Sequence, residues 1–273
     1  MTSGGTTTLA VSVREAAELL QLSQRTRKPC PPVRDILPDH SVATGYAVQT
    51  LLTEARLAEG RRIVGRKVGL TSPAVQAQMG VDQPDFGVLF DDMACWEDEP
   101  VDIERLLQPR IEAEVAFRLA ADLDGDDIGL VSARAAVDEV LPALEIVDSR
   151  VAGWDITLVD TVADNASSGL YVLGASAGPL GDRDLREVNM TMVDRSGATV
   201  STGSGAACLG DPIAALVWLA RTAAEFGSPL RAGDLVLSGA LGPMVPVAPG
   251  AGFTATLSGL GTVRANFSSG VLA

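Results

Sequence analysis

Residues 108–117 read QPRIEAEVAF, and the period of this stretch decides the fold class. Ile111, Ala113, Val115 and Phe117 recur at every second position, the spacing of a β-strand whose side chains alternate between faces. The same alternation puts Glu112 and Glu114 side by side on the opposite face. At roughly 5 Å and an effective dielectric of about 20, two such charges repel by ~3 kcal/mol. The pair therefore needs a compensating partner or a bound proton.

Short apolar runs broken by glycine continue on both sides of this segment. Residues 61–70, 110–120, 142–150, 169–174, 188–197, 233–241, 252–261 and 262–269 all read as strands. Helical spacing is confined to four places. Residues 13–27 and 45–60 precede the strands, the second closed by Gly60. Residues 132–141 follow Ser132 as an N-cap, and 211–227 run from an Asp211 cap and Pro212 to Gly227. Residues 1–8 are small and polar and are expected to be disordered. Strands outnumber crossover helices, so a mixed, β-rich α+β fold fits better than a doubly wound sheet. No GxGxxG follows a strand and no GxxxxGK[ST] occurs, so nothing supports a nucleotide site.

The bulk numbers exclude further classes. A chain of 273 residues, 47% hydrophobic, has ample material for a core. With 21 Lys+Arg against 35 Asp+Glu it has no basic stripe to offer nucleic acid or an anionic membrane. Cys30, Cys95 and Cys208 are scattered and odd in number, which argues against a disulfide framework or a zinc site and for a reducing cytosol. The N-terminus lacks the basic and apolar regions of a secretory signal. No apolar run is expected to reach the roughly 20 residues that span a bilayer. The expected location is cytoplasmic.

Two charged clusters carry the chemistry. Glu145, in PALEIVDSR (142–150), adds a third glutamate on a strand with apolar neighbours. A divalent cation would compensate Glu112, Glu114 and Glu145 together, and all-carboxylate ligation selects a hard ion such as Mg²⁺ or Mn²⁺. Equally, each glutamate could lie on a solvated face beside an arginine. In GRRIVGRKVGLTS (60–72), Lys67 on a strand either points inward to an anion or snorkels to the rim. The segment 80–92 supplies Asp82 and Asp85 on what reads as a glycine-bounded loop. The turns around Ser167 and Ser168, and around Ser238 and Gly239, could present hydroxyls and backbone N–H groups to a carboxylate. The single histidine, His40, lies beside a turn and away from every acidic strand.

Together these stretches resemble a known family. GRKVGLTSPAVQAQMGVDQPDFGVLF (65–90), LQPRIEAEVAF (107–117), LPALEIVDSR (141–150), DTVADNASSG (160–169) and SGALGPMV (238–245) occur in the order they take in the 2-keto-4-pentenoate hydratases. Those enzymes form part of the hydratase/decarboxylase family of the fumarylacetoacetate hydrolase superfamily. The resemblance spans about residues 45–267, while the lead-in DILPDHSVATGYAVQ (35–49) is looser than the family's.

The resemblance implies a β-rich roll (61–273) behind a helical N-terminal segment (1–60), in homo-oligomers built from dimers. It implies that Glu112, Glu114 and Glu145 hold Mg²⁺ or Mn²⁺. It also implies hydration of 2-hydroxypenta-2,4-dienoate to 4-hydroxy-2-oxopentanoate in the meta-cleavage catabolism of aromatic rings. Lys67 and Asp85, with Asp82 third, are the expected acid–base groups, and Ser167, Ser168, Ser238 and Gly239 the expected substrate contacts. Two other activities fit the same motifs: decarboxylation of a 2-oxo diacid of the 4-oxalocrotonate type, and a catalytically silent subunit associated with other pathway enzymes. Asp85, and SGA at 238–240, favour the hydratases.

Overall fold

The structure, a computed structural model, describes residues 3–72, 76, 81, 83–125 and 127–270. Two helices lead the chain, α1 (Ser3–Thr26) and α2 (Val42–Ala58), the latter capped by Ser41, whose side chain accepts from Thr44 N. Strands β1 (Ile63–Gly69), β2 (Asp85–Phe90), β3 (Ala94–Cys95) and β4 (Arg110–Leu119) follow. Helix α3 (Leu130–Ala136) precedes β5 (Val137–Val147), and helix α4 (Leu158–Ala163) precedes β6 (Ser168–Leu173). Next come β7 (Asn189–Asp194), β8 (Thr199–Ser204), helix α5 (Pro212–Glu225), β9 (Leu235–Ala240), β10 (Val245–Pro246), β11 (Gly252–Leu257) and β12 (Gly261–Asn266).

The strands form two sheets. The eight-stranded one has the order β2-β1-β9-β4-β5-β6-β3, with β10 paired to β4. A four-stranded sheet, β12-β11-β7-β8, is the second layer. The large sheet is mixed: β1–β9 and β3–β6 are parallel and its other pairs antiparallel. This is the α+β roll with leading helices that the sequence predicts.

Strand alternation then divides the core. Ile111, Ala113, Val115 and Phe117 pack with Val68, Phe86, the α5 residues Ile213 and Leu216, and Met192 and Val263 of the second sheet. The opposite face of the large sheet carries a smaller cluster of Leu89, Ala116, Leu141, Ala143, Tyr171 and Leu237. A third cluster joins α1, α2 and α4 through Leu20, Val48, Val159 and Ala163.

Several local expectations are corrected. Residues 3–8, expected to be disordered, belong to α1. The helix expected over 132–141 stops at Ala136, and Ser132 accepts from Gly129 N at the third helical position instead of capping the start. Pro142 disfavours helix in the residues before it, while pairing with β4 buries Val140 and Leu141. The expected loop around Asp85 is strand β2 from that residue on, and β8 and α4 are additional elements. Residues Gly205–Glu225 are long and apolar enough to cross a bilayer by length and composition. In the fold, however, Ile213, Leu216, Leu219 and Ala220 of this stretch line the core.

Candidate metal centre and active site

Register brings the acidic residues together. Glu112 of β4 lies directly opposite Glu145 of β5, and Glu114 follows two residues on along the same face. One carboxylate oxygen from each of the three comes within 4.8 Å of the others, and all three residues are buried. Ligands on opposite sides of a hard cation, each at roughly 2.0–2.6 Å, span just this range. The alternative of a solvated face beside arginines is thereby removed.

The donor chemistry also fits a cation. Gly239 N donates to Glu114 Oε2 at 2.8 Å. Glu114 Oε1 and Glu145 Oε2 are buried without a hydrogen-bond partner, and Glu145 Oε1 has the Lys67 ammonium at 3.2 Å. Unpartnered buried carboxylate oxygens are costly, and the converging oxygens of the three glutamates make a ready ligand set. Burial, then the charge of Glu145, pushes the Glu112 carboxyl up to about 7. Burial followed by Glu145 and Glu112 pushes Glu114 well above the usual carboxylate range. Burial raises Glu145 as well, against the opposing pull of Lys67.

Lys67 points inward. Its side chain is 2% exposed and Nζ lies 3.2 Å from Glu145 Oε1. Burial favours losing its proton, but Glu145, Asp85, Glu112 and Glu114 together outweigh burial and hold the ammonium above its ordinary value. Asp85 pairs across the β1–β2 ladder with Gly69, two residues beyond Lys67 on the same face. A Cβ at Gly69 would stand 2.2 Å from Asp85 Oδ1, so glycine there leaves room for the carboxylate. Thr161 Oγ1 donates to Asp85 Oδ2 at 2.9 Å, while Oδ1 is buried without a partner. Burial raises the Asp85 carboxyl, with Lys67 and Thr161 opposing it.

The serines sit on an unusual turn. Asn165, Ala166 and Ser167 have φ of 55°, 52° and 51°, three successive non-glycine residues in the left-handed region. Each costs ~1–2 kcal/mol, so the surroundings must enforce the shape. Asn165 provides most of that: Val88 N donates to its Oδ1 at 2.7 Å and its Nδ2 donates to Val88 O at 2.9 Å. Gly87, the β-ladder partner of Lys67, lets the turn close in, since a Cβ there would lie 2.4 Å from Asn165 O.

The expected substrate contacts divide accordingly. Ser167 Oγ and Ser238 Oγ are buried and unpartnered. The Ser168 hydroxyl donates to Asn165 O at 2.8 Å, and the Gly239 N–H is taken by Glu114. The last two therefore serve the turn and the Glu114 carboxylate respectively. Asp82 lies outside the described residues, and His40 is exposed. Sequence reasoning missed Thr161 and Asn165. The only available sign was their place inside DTVADNASSG.

Known proteins resemble this chain over most of its length. A family model described as fumarylacetoacetate (FAA) hydrolase C-terminal matches residues 62–268. The 2-keto-4-pentenoate hydratase of Paraburkholderia xenovorans (strain LB400) is 53% identical over 93% of this chain and 94% of its own. The TodF product hydratase of Pseudomonas putida F1 is 52% identical over 94% of this chain and 96% of its own. The structure of 4-oxalocrotonate decarboxylase from Pseudomonas putida G7, complexed with magnesium and adipate, superimposes with a TM-score of 0.87 at 35% identity, covering 93% of this chain and 97% of that one. The chain belongs to the fumarylacetoacetate hydrolase family, within its hydratase/decarboxylase branch.

Proposed function

We propose that this chain is a divalent-metal-dependent hydro-lyase that converts 2-hydroxypenta-2,4-dienoate to 4-hydroxy-2-oxopentanoate. The carrying observation is the set of three buried carboxylates, those of Glu112, Glu114 and Glu145, that converge within 4.8 Å beside Lys67 and Asp85. The names of relatives at 52–53% identity over nearly the whole chain support the substrate. Magnesium in the decarboxylase supports the cation, and we assign Mg²⁺ to Glu112, Glu114 and Glu145. When bound, that ion supplies Lewis-acid polarisation of the 2-oxo group.

The remaining work belongs to side chains. Ketonising the dienol moves the 2-hydroxyl proton away and places a proton on C5. Hydration then joins water's oxygen to C4 and a proton to C3, so general acid–base groups are required. Lys67, held as an ammonium by its acidic neighbours, stabilises the dienolate oxygen or delivers its proton. Asp85, with Oδ1 unpartnered, orients and deprotonates the attacking water. The free hydroxyls of Ser167 and Ser238 hold the substrate carboxylate and carbonyl. The reading places the enzyme in meta-cleavage catabolism, in the cytoplasm, as a homo-oligomer built from dimers.

The likeness to a decarboxylase favours a second reading, loss of CO₂ from a 2-oxo diacid. One assay separates them. The dienol is generated in the cuvette and its ultraviolet absorbance followed with Mg²⁺ and with EDTA, and oxalocrotonate is tested in parallel for CO₂. Metal-dependent loss of the dienol with formation of 4-hydroxy-2-oxopentanoate is expected. CO₂ release with a persistent dienol would select the decarboxylase, and inertness towards both would reject each reading.

A further inference from the structure

The motif GYAVQ at 45–49 lies on α2, outside the matched range of the family model. Its polar side chains nevertheless converge on the backbone that carries Asp85. Phe86 N donates to Tyr46 Oη at 3.2 Å, and Gln49 Nε2 donates to Phe86 O at 2.9 Å. Both backbone groups of the residue following Asp85 are thus held by one helix face. Gln49 Nε2 also donates to Val162 O at 2.9 Å, on α4. Thr161, next to Val162, is the residue that donates to Asp85 Oδ2.

Gly45 permits this arrangement. A Cβ there would stand 2.9 Å from Val162 Cγ1 and 3.1 Å from Val159 O, so glycine lets α2 approach α4 closely. The far side of α4 is pinned too. Arg34 Nη1 donates to Asp160 Oδ2 at 2.7 Å, and its backbone N donates to Oδ1 at 2.9 Å. Tyr46, Gln49 and Thr161 are each buried. The Gln49 amide satisfies two buried carbonyls at once, one on the strand that carries Asp85 and one on the helix that carries Thr161.

We infer that Tyr46, Gln49 and Thr161 are positioning residues that lock Asp85 with Oδ2 occupied and Oδ1 free to work, so that the N-terminal helical segment completes the active site. The inference rests on the assignment of Asp85 as the group that handles water. Tyr46 and Gln49 fix the strand beneath the carboxylate, Thr161 fixes its rotation, and Gln49 ties the two supports together.

The test uses full-length D85N, T161V, T161S, Q49M and Y46F, with kcat and KM for dienol hydration, calorimetric Mg²⁺ affinity and thermal unfolding measured for each. T161V and Q49M are expected to lower kcat by about tenfold to a hundredfold, the scale of a small misplacement of a reacting group. Y46F is expected to lower it less. KM and Mg²⁺ affinity should stay near wild type, and T161S, which keeps the hydroxyl, should recover most of the loss. Wild-type kcat in both T161V and Q49M overturns the inference, as does a loss of Mg²⁺ affinity in step with kcat. If Q49M does not fold, T161V against T161S decides alone, because those changes exchange only a hydroxyl or a methyl. A fully active D85N instead removes the underlying assignment of Asp85, an outcome distinct from an inactive D85N beside an unaffected T161V.

Discussion

Lys67 Nζ lies 3.2 Å from Glu145 Oε1, with both side chains cut off from solvent. In this site one ammonium faces four carboxylates, those of Glu112, Glu114, Glu145 and Asp85. It balances only part of the charge, and a divalent cation is the natural complement. The strained turn and the close glycines assemble the rest of the site around that imbalance.

Removing the ammonium leaves Glu145 buried beside like charges. Lys67→Met should destabilise the metal-free protein by about 3–5 kcal/mol, the usual cost of breaking a buried pair from one side. Denaturant unfolding in EDTA measures this, and saturating Mg²⁺ should recover part of the loss. Hydration should fall with it, since among the described residues no other ammonium faces these carboxylates.

Glu114→Gln should separate stability from function. The substitution removes a proposed ligand, so Mg²⁺ affinity should drop by at least about tenfold. It also deletes a charge that burial and two neighbouring glutamates oppose. Thermal unfolding in EDTA at pH 8 should therefore be unchanged or shifted upward, whereas a purely structural glutamate would give a downward shift.

Metal affinity should rise with pH. The metal-free site holds Glu112 protonated up to about 7, and the cation takes the ionised form. Affinity is thus expected to increase from pH 6 to pH 8 with proton release, which calorimetry in buffers of different ionisation enthalpy detects. For the metal-free fold the sign is opposite. A carboxyl raised on folding keeps its proton in the native state, so stability declines as pH climbs from the ordinary value of 4.5 to about 7.

Gly69→Ala addresses Asp85 without touching it chemically. The added methyl would meet Oδ1 at 2.2 Å, forcing the carboxylate to turn. Hydration should fall by about tenfold or more, with Mg²⁺ affinity preserved because Glu112, Glu114 and Glu145 are unaltered.

Much of this was legible in the sequence. The alternation through Ile111–Phe117 announces a strand with two glutamates on one face, and that is how β4 stands. The facing of Glu112 and Glu145 was not, because register depends on which strands pair in space. The direction of Lys67 was open for the same reason: a strand offers two faces, and only the fold shows which one meets carboxylates. Helix α4 has six residues, too few for a helical period to show. A turn around Ser167 and Ser168 is expected from the sequence, but its left-handed shape is not, because that comes from the grip of Asn165 on Val88, far along the chain. Tyr46 and Gln49 meet backbone groups of Phe86 and Thr161 meets the Asp85 carboxylate, contacts between distant elements to which residue type gives no clue.

The most direct test is a crystal grown with Mn²⁺, whose anomalous scattering locates the ion. A single strong peak bonded to carboxylate oxygens of Glu112, Glu114 and Glu145, lost in Glu114→Gln, is the predicted result. A peak ligated elsewhere, or none at these three residues under saturating Mn²⁺, would contradict the account.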